Sequence, residues 1–234
     1  MAATIGIEIL SWCEEELLQE CLRRLLKVFE AKDILGVIGE CYVHLNEKPV
    51  DHTRDIFESF RIPTIWCGTM IERDRRNYAK DILNRDWTVI VDSDEFWEEH
   101  DLHILKAALE TLPEDFLEVR ADMVTYWKDR NYKIDPAEPS KLLAAVRRSK
   151  EFVGTRGTDL AQAVLIDGLK VHHLSYVGPD DRIRRKIATF APREPIPDGW
   201  YENVWERWTP EMEDLHPIYP PAYKRAVPCE PPPE

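Results

Sequence analysis

The five cysteines of this 234-residue chain show no pairing pattern. They are scattered, odd in number, and no two are spaced as CxxC. A disulfide framework or a zinc site would need regular or paired cysteines, so the pattern favours reduced thiols in a cytosolic protein. Long apolar runs are also missing, because no segment approaches the roughly 18 consecutive apolar residues of a membrane-spanning helix. The start of the chain, MAATIGIEILSW, carries no basic export signal, and we therefore expect a cytoplasmic protein.

Positive charge is scarce. The chain has 31 Lys and Arg against 44 Asp and Glu, a net charge of −13. This balance argues against binding to nucleic acid or to an anionic membrane by bulk charge. Residues 141–193 are the exception, with 11 basic and 5 acidic residues. That segment is a candidate anion site, although solvated helix faces give similar counts.

Strand and helix patterns alternate through the first half of the chain, which indicates βαβ units and a mostly parallel sheet. We predict strands over 4–10, 34–38, 62–66 and 87–91, and helices over 14–29, 54–60 and 71–85. The second half is less regular. There we predict helices over 102–112 and 180–190, strands within 116–126 and over 142–147, 161–166 and 169–177, and a loop over 128–140.

The expected architecture is a single α/β, Rossmann-like domain over residues 1–190 with a C-terminal extension over 191–234. The extension contains more than half of the 17 prolines, together with three tryptophans and three tyrosines. We expect it to pack on the domain as a wrapping segment, with its last residues disordered.

The strongest local motif is VIVDSDEFW, in which an apolar strand leads directly into Asp92, Asp94 and Glu95. Carboxylates delivered to a strand end suit Mg²⁺ or Mn²⁺, which bind carboxylates together with substrate phosphates. The alternative is that Asp94 caps the helix that follows. The position after an apolar strand leaves these two interpretations evenly balanced.

Two further groups could serve an anionic ligand or its metal. His172 and His173 lie in an apolar strand, where a histidine is either a metal ligand or, more often, a core residue. Arg182, Arg184, Arg185 and Lys186 follow Pro179, and guanidinium groups bind diphosphate bidentately. A solvated helix face is the better explanation for at least two of these four cations.

These stretches, taken in order, resemble a GT-A-type glycosyltransferase of the broad family-2-like group. The most specific block is RDRRNYAKDILNRDWTVIVDSDEFW, and it is preceded by IGIEILSWCEEELLQECLRRLLKVF and VIGECYVHLNEKPVDHTRDIFESF. A late segment, VHHLSYVGPDDRIRRKIATF, is similar to the one that supplies the family's late histidine. The resemblance covers roughly residues 4–190.

The resemblance implies a metal-dependent transfer of a sugar from a nucleotide-diphosphate donor. Asp94 would bind Mn²⁺ or Mg²⁺ directly and Asp92 the ribose or the metal, with His173, or else His172, as the late ligand. Glu40, which stands where the family usually has Asp, would approach the nucleoside, and Glu95 would lie near the donor sugar and is a catalytic candidate. The remaining residues implied for nucleotide-sugar binding are Ser11, Arg73, Arg76, Ser93, Trp97 and Arg185.

An inverting enzyme would also need a carboxylate base for the acceptor hydroxyl. The candidates are Asp159, ranked first, then Asp122, Asp180 and Asp181; the sequence does not choose among them. The acceptor itself is open and could be a glycan, a lipid-linked sugar, a protein or a modified nucleobase. Two other functions remain: a metal-dependent phosphohydrolase or nuclease, disfavoured because two-metal sites need more than one acidic cluster, and a non-catalytic module of the same fold.

Overall fold

The computed structural model describes residues 3–11, 14–39, 52–68, 70–139, 141–159, 162–190 and 196–232. The chain divides into two compact units. Among the described residues, the first comprises those within 3–39, 52–122 and 141–171, and the second comprises those within 123–139 and 172–232. Two long strands contribute residues to both units.

The first unit has an α/β fold built on a mixed sheet that is mostly parallel in its first four strands. These strands are β1 (Ile5–Ser11), β2 (Ile34–Gly39), β3 (Thr64–Gly68) and β4 (Trp87–Asp92), and they lie in the order β3-β2-β1-β4. The helices between them are α1 (Glu15–Leu25), α2 (Thr53–Ser59) and α3 (Glu72–Leu83). The predicted α/β fold class is confirmed. β3 begins two residues later than predicted because Pro63, which has no N–H, precedes it.

The sheet continues with antiparallel strands. A two-residue strand β5 (Glu95–Phe96) and helix α4 (Glu99–Thr111) follow β4, and then come β6 (Glu118–Asp135), β7 (Leu142–Arg147) and β8 (Ala163–Val177). β7 pairs antiparallel with both β4 and β6, and β8 and β5 come next in the strand order. The predicted loop over 128–140 is wrong up to residue 135, and the two strands predicted over 161–166 and 169–177 are one strand.

The core of the first unit lies on the buried strands β1, β2 and β4. Their side chains pack with α1 and α4 in a cluster that includes Ile7, Leu22, Val89 and Leu105, each with no exposed surface. Residues of β2, β3 and α3 form a smaller apolar cluster. β1, β2 and β4 are buried on both faces, as expected for strands covered by helices.

The second unit has an aromatic core. Trp127 packs edge-on against Trp200, Trp205 and Tyr223, with ring centroids 5.3–6.4 Å apart. Its regular elements, apart from its parts of β6 and β8, include α5 (Asp180–Phe190), a π-helical turn over Tyr201–Glu206 and β9 (Arg225–Pro228), which pairs antiparallel with β6. Among the described residues, none of the helices has the length and hydrophobicity needed to cross a bilayer.

Candidate active site

The carboxyl ends of β1 and β4 meet at the point where the strand order of the sheet reverses. From β1 the chain proceeds to β2 and β3 on one side and then returns to β4 on the other. Leu10 of β1 is in register with Asp92 of β4, so both strands end at the same level. Open α/β sheets bind their ligands outside the strand ends at such a switch point. The acidic motif therefore lies where this fold class places a ligand.

The motif forms a tight turn between β4 and β5. The backbone N–H of Ser93 donates to Leu10 O over 3.0 Å, and the backbone N–H of Asp92 donates to Glu95 Oε2 over 3.1 Å. Helix α4 begins only at Glu99, with Glu98 as its N-cap residue. The interpretation of Asp94 as a helix cap is therefore wrong.

Two arginines hold Asp92. Arg76 Nη2 donates to Asp92 Oδ1 over 2.7 Å, and Arg156 Nη1 donates to Asp92 Oδ2 over 2.9 Å. Burial raises the pKa of Asp92, but the two guanidinium groups outweigh it and hold the pKa below its ordinary value of 3.8. Asp92 is therefore an anion at neutral pH, and each of its carboxylate oxygens accepts a charged hydrogen bond.

Arg76 is the centre of a buried ion-pair network. It lies 2.8 Å from Glu8 Oε1 and 2.7 Å from Glu72 Oε1, in addition to Asp92, and its side chain is 1% exposed. Burial lowers the pKa of Arg76, but the three carboxylates raise it well above its ordinary value. Its Nε also donates to Thr155 O. The expectation that Arg76 contacts a nucleotide is corrected, because every nitrogen of its guanidinium group is engaged by the protein.

Glu95 is a buried carboxylate with partners on both oxygens. Its Oε1 accepts a hydrogen bond from Arg156 Nη1, and its Oε2 accepts the N–H of Asp92. Burial raises the pKa of Glu95 to about 7, against the opposing charge of Arg156. Glu95 has one guanidinium partner where Asp92 has two, and this difference explains why their pKa values move in opposite directions.

Asp94 lies in the turn and is 7% exposed. Its charge acts on Cys21 of α1: burial raises the pKa of the Cys21 thiol well above 9.0, and the negative charges of Glu95, Asp94 and Asp92 raise it further. Cys21 therefore stays a neutral thiol at neutral pH. The three carboxylates of the turn are thus close enough to α1 to act on the charge of one of its side chains.

Ser93 is part of the turn, and Ser11 follows Leu10, whose carbonyl accepts the N–H of Ser93. Ser11 ends β1 and has no exposed surface, and within the described part of the chain its Oγ has no hydrogen-bond partner. Ser93 is 2% exposed. Trp97, which we expected near a donor sugar, is 1% exposed and belongs to the apolar core. This corrects the expectation, because a ring packed in the core presents no face to a ligand.

The structure bears differently on the residues expected near the nucleotide. Glu40 lies outside the described residues. Arg73 is exposed and pairs with Asp74 over 2.7 Å. Arg75, which sequence reasoning passed over, is buried and donates to Gly68 O over 2.8 Å at the end of β3. A Cβ at Gly39 would lie 2.0 Å from Arg75 Nη1, so a larger residue at the end of β2 would have to displace this guanidinium group.

His172 and His173 belong to the second unit and point to opposite faces of β8, since side chains alternate along a strand. His172 is buried, and its Nδ1 lies 2.9 Å from the hydroxyl of Tyr126. His173 Nδ1 lies 3.4 Å from Thr125 Oγ1. Burial, with His173 nearby, lowers the pKa of His216 to about 4.

The proposed catalytic bases fall into two groups. In the first unit, Asp159 pairs with Lys150 and Asp122 pairs with Lys141. In the second unit, Asp181 and Arg185 line one cavity of about 690 Å³ beside the π-helical turn. Asp180, the neighbour of Asp181, contributes to a raised pKa of Tyr201, after burial.

Comparisons with known proteins give partial structural similarity. Glucosyl-3-phosphoglycerate synthase from Mycobacterium tuberculosis, in complex with Mn²⁺, UDP and phosphoglyceric acid, is 12% identical with a TM-score of 0.42, over 52% of this chain and 43% of that chain. S. aureus TarS 1–349 in complex with UDP-GlcNAc is 18% identical with a TM-score of 0.40, over 52% of this chain and 35% of that chain. The chain thus spans less than half the length of these structures.

No protein-family profile matches the sequence, and no curated protein does. With TM-scores below 0.5, the structural similarities carry no weight for the activity of this chain. Its chemistry is therefore argued from the acidic turn and its surroundings.

Sequence reasoning missed three members of the network: Glu8, Glu72 and Arg156. The sequence does contain a signal for Glu8, because a glutamate inside the apolar strand TIGIEIL needs a buried cation as its partner. Glu72 has one too, since it lies four residues before Arg76 on one helix. Arg156 has none, because it lies in an irregular segment 64 residues from Asp92.

The residues of the turn suit a divalent cation. Oxygen donors are the ligands that Mg²⁺ and Mn²⁺ prefer, and the turn carries the three carboxylates of Asp92, Asp94 and Glu95. Asp92, whose pKa is held below its ordinary value, supplies a permanent negative charge at neutral pH to this part of the turn.

Proposed function

We propose that the protein is a metal-dependent glycosyltransferase that moves a sugar from a nucleotide-diphosphate donor to an acceptor hydroxyl. The observation that carries this proposal is the acidic turn Asp92–Glu95 at the switch point of a parallel sheet, with Asp92 held between Arg76 and Arg156. The GT-A-type resemblance of the same block of sequence supports it.

In this proposal Asp94 holds Mn²⁺ or Mg²⁺. Asp92 and Glu95 have both carboxylate oxygens engaged by protein donors, so their main role is to shape the turn and set its charge. A bound divalent cation stabilises the charge that develops on a leaving diphosphate. His173 or His172 as a further ligand, and Asp159 or Asp181 as the base, stay predictions.

The decisive experiment combines donor binding with product analysis. The melting temperature of the purified protein is measured with a panel of nucleotide-diphosphate sugars, with and without Mn²⁺, and nucleoside diphosphate release is then followed without added acceptor. We expect one donor class to raise the melting temperature only with Mn²⁺, since a ligand that binds the native state stabilises it. Slow release of nucleoside diphosphate should accompany that shift.

A matched pair of variants tests the site. Asp94→Asn should abolish the Mn²⁺-dependent shift, whereas Asp115→Asn, at an exposed turn of the same unit, should leave it intact. Release of nucleoside monophosphate, or nicking of a polynucleotide, would support the phosphohydrolase or nuclease alternative. Donor binding that survives Asp94→Asn, with no release from either protein, would support a non-catalytic module.

A further inference from the structure

Arg156 contacts the two flanking carboxylates of the acidic turn. We infer that Arg156 is a positioning residue that holds this turn in its cation-binding geometry, an inference that rests on the proposed function. Arg156 is not part of the sequence motif. It lies in the irregular segment between β7 and β8. Its contacts, its burial and the charge of its neighbours carry the inference.

The guanidinium group of Arg156 is fixed at every nitrogen. Its Nη1 contacts both Asp92 Oδ2, over 2.9 Å, and Glu95 Oε1. Its Nη2 donates to Ile90 O over 3.0 Å, and its Nε donates to Leu143 O over 3.2 Å. Two carbonyls on neighbouring strands thus anchor the group, and its position relative to the turn is set by the sheet.

The contacts of Arg156 link the two ends of the turn through their side chains. Asp92 and Glu95 are the first and last residues of the turn, and the N–H of Asp92 donates to Glu95 Oε2. Arg156 bridges Asp92 Oδ2 and Glu95 Oε1, one oxygen from each of the same two side chains. The two residues between them, Ser93 and Asp94, are therefore held in a ring of contacts, which fixes where Asp94 presents its carboxylate.

The charge of Arg156 is needed as well as its shape. Carboxylates at Asp92, Asp94 and Glu95 repel one another in a buried setting, where an unpaired charge is costly. Asp92 keeps Arg76 as a second partner, whereas Arg156 is the guanidinium partner of Glu95. Loss of Arg156 should therefore release Glu95 first and loosen the turn around Asp94.

The test measures Mn²⁺ affinity by isothermal titration calorimetry, together with the electron paramagnetic resonance spectrum of bound Mn²⁺. Arg156→Gln should weaken Mn²⁺ binding by about 10- to 100-fold, the usual effect of losing a group that orients metal ligands. Arg147→Gln is the matched control. Arg147 donates to the carbonyls of Phe116, Leu112 and Pro113, so its loss should lower stability and leave Mn²⁺ affinity unchanged.

A second variant covers the case in which Arg156→Gln does not fold. Arg156→Lys keeps the charge but cannot reach two carboxylates and two carbonyls with a planar fork. It should fold, bind Mn²⁺ with an affinity between those of the wild type and Arg156→Gln, and broaden the Mn²⁺ spectrum. If both Arg156 variants lower the melting temperature as Arg147→Gln does, with wild-type Mn²⁺ affinity, Arg156 is only structural.

The two proposals fail in different ways. A wild-type protein that binds no Mn²⁺ contradicts the proposed function, and the role of Arg156 falls with it. A wild-type protein that binds Mn²⁺, loses it in Asp94→Asn and keeps it in both Arg156 variants contradicts the role of Arg156 alone.

Discussion

Glu8 shows how burial and charge compete at a single residue. It lies in the middle of β1, is 1% exposed, and has Arg76 as an ion-pair partner at 2.8 Å. Burial nevertheless raises its pKa to about 7, from the ordinary value of 4.5. Arg76 is shared among three carboxylates, so it only partly offsets the cost of removing the charge of Glu8 from water.

This raised pKa predicts a pH dependence of stability. Between about pH 4.5 and 7 the native state keeps a proton on Glu8 that the unfolded chain releases, so the free energy of unfolding falls as the pH rises. Glu8→Gln should make that fall shallower by up to about 1.4 kcal/mol per pH unit. Urea unfolding at several pH values between 5 and 7 measures the slope.

The control for this prediction is Glu58→Gln, which changes an exposed glutamate paired with Arg54. Its slope should equal that of the wild type. Glu95 titrates in the same window, so some slope should persist in Glu8→Gln. An unchanged slope in Glu8→Gln would show that Glu8 is ionised in the native state throughout this range.

At the residue scale, sequence patterns indicate the site residues that are contiguous in the chain and miss those that lie far apart in it. Asp92, Asp94 and Glu95 follow one another after an apolar strand, and their clustering is visible in the sequence. Arg76 was noted as a nucleotide ligand, but its partner Glu8 lies 68 residues away, and Arg156 lies 64 residues from Asp92. Such pairings depend on the strand order and are absent from local patterns.

At the scale of elements, the first half of the chain was predictable because its strands are mostly apolar runs and α1 buries a regularly spaced face of Leu18, Cys21, Leu22 and Leu25. The long strand β6 was not, since Lys128, Asp129 and Arg130 give its second part the composition of a loop. Its pairing explains why it is a strand: Tyr132 is in register with Pro228 of β9, almost a hundred residues later. The backbone hydrogen bonds of that pair cannot be anticipated from either segment alone.

Helix α5 matches its predicted bounds, but its arginines do not share one role. Arg182 is 1% exposed, and its Nη1 donates to the carbonyls of Ser175, over 3.0 Å, and Val177, over 2.6 Å, at the end of β8. Arg184 is half exposed and pairs with Glu202 and Glu206. Arg182 therefore ties α5 to the end of β8, within the second unit, rather than binding an anion.

We expect Arg182→Met to lower the free energy of unfolding by about 2–3 kcal/mol, because it leaves two carbonyls without their charged donor. Arg184→Met should cost less than about 1 kcal/mol, since exposed ion pairs contribute little. Chemical denaturation of both variants measures the difference. Equal losses would mean that the buried contacts of Arg182 contribute no more than the exposed pairs of Arg184.

At the scale of the whole molecule, the fold distributes the basic segment 141–193 among internal partners. Arg156 and Arg182 are used inside the two units, Lys141 and Lys150 pair with aspartates, and Arg147 donates to carbonyls. Part of the net charge of +6 in the sequence is thus offset by carboxylates from outside the segment, those of Asp122, Asp92 and Glu95 among them. A linear count of charges misses this, because the fold brings together residues that are distant in the sequence.

This distribution predicts weak binding to polyanions in spite of the basic segment. A labelled single-stranded oligonucleotide should bind with a Kd weaker than about 100 µM at 150 mM salt, the weak end of non-specific binding. The double variant Asp122→Asn/Asp159→Asn releases Lys141 and Lys150 from their carboxylates and should bind the same oligonucleotide more tightly, with a steeper dependence on salt. Fluorescence anisotropy at two or more salt concentrations measures both. Micromolar or tighter binding by the wild-type protein, weakened strongly by salt, would show instead that the segment presents its positive charge to a polyanionic acceptor.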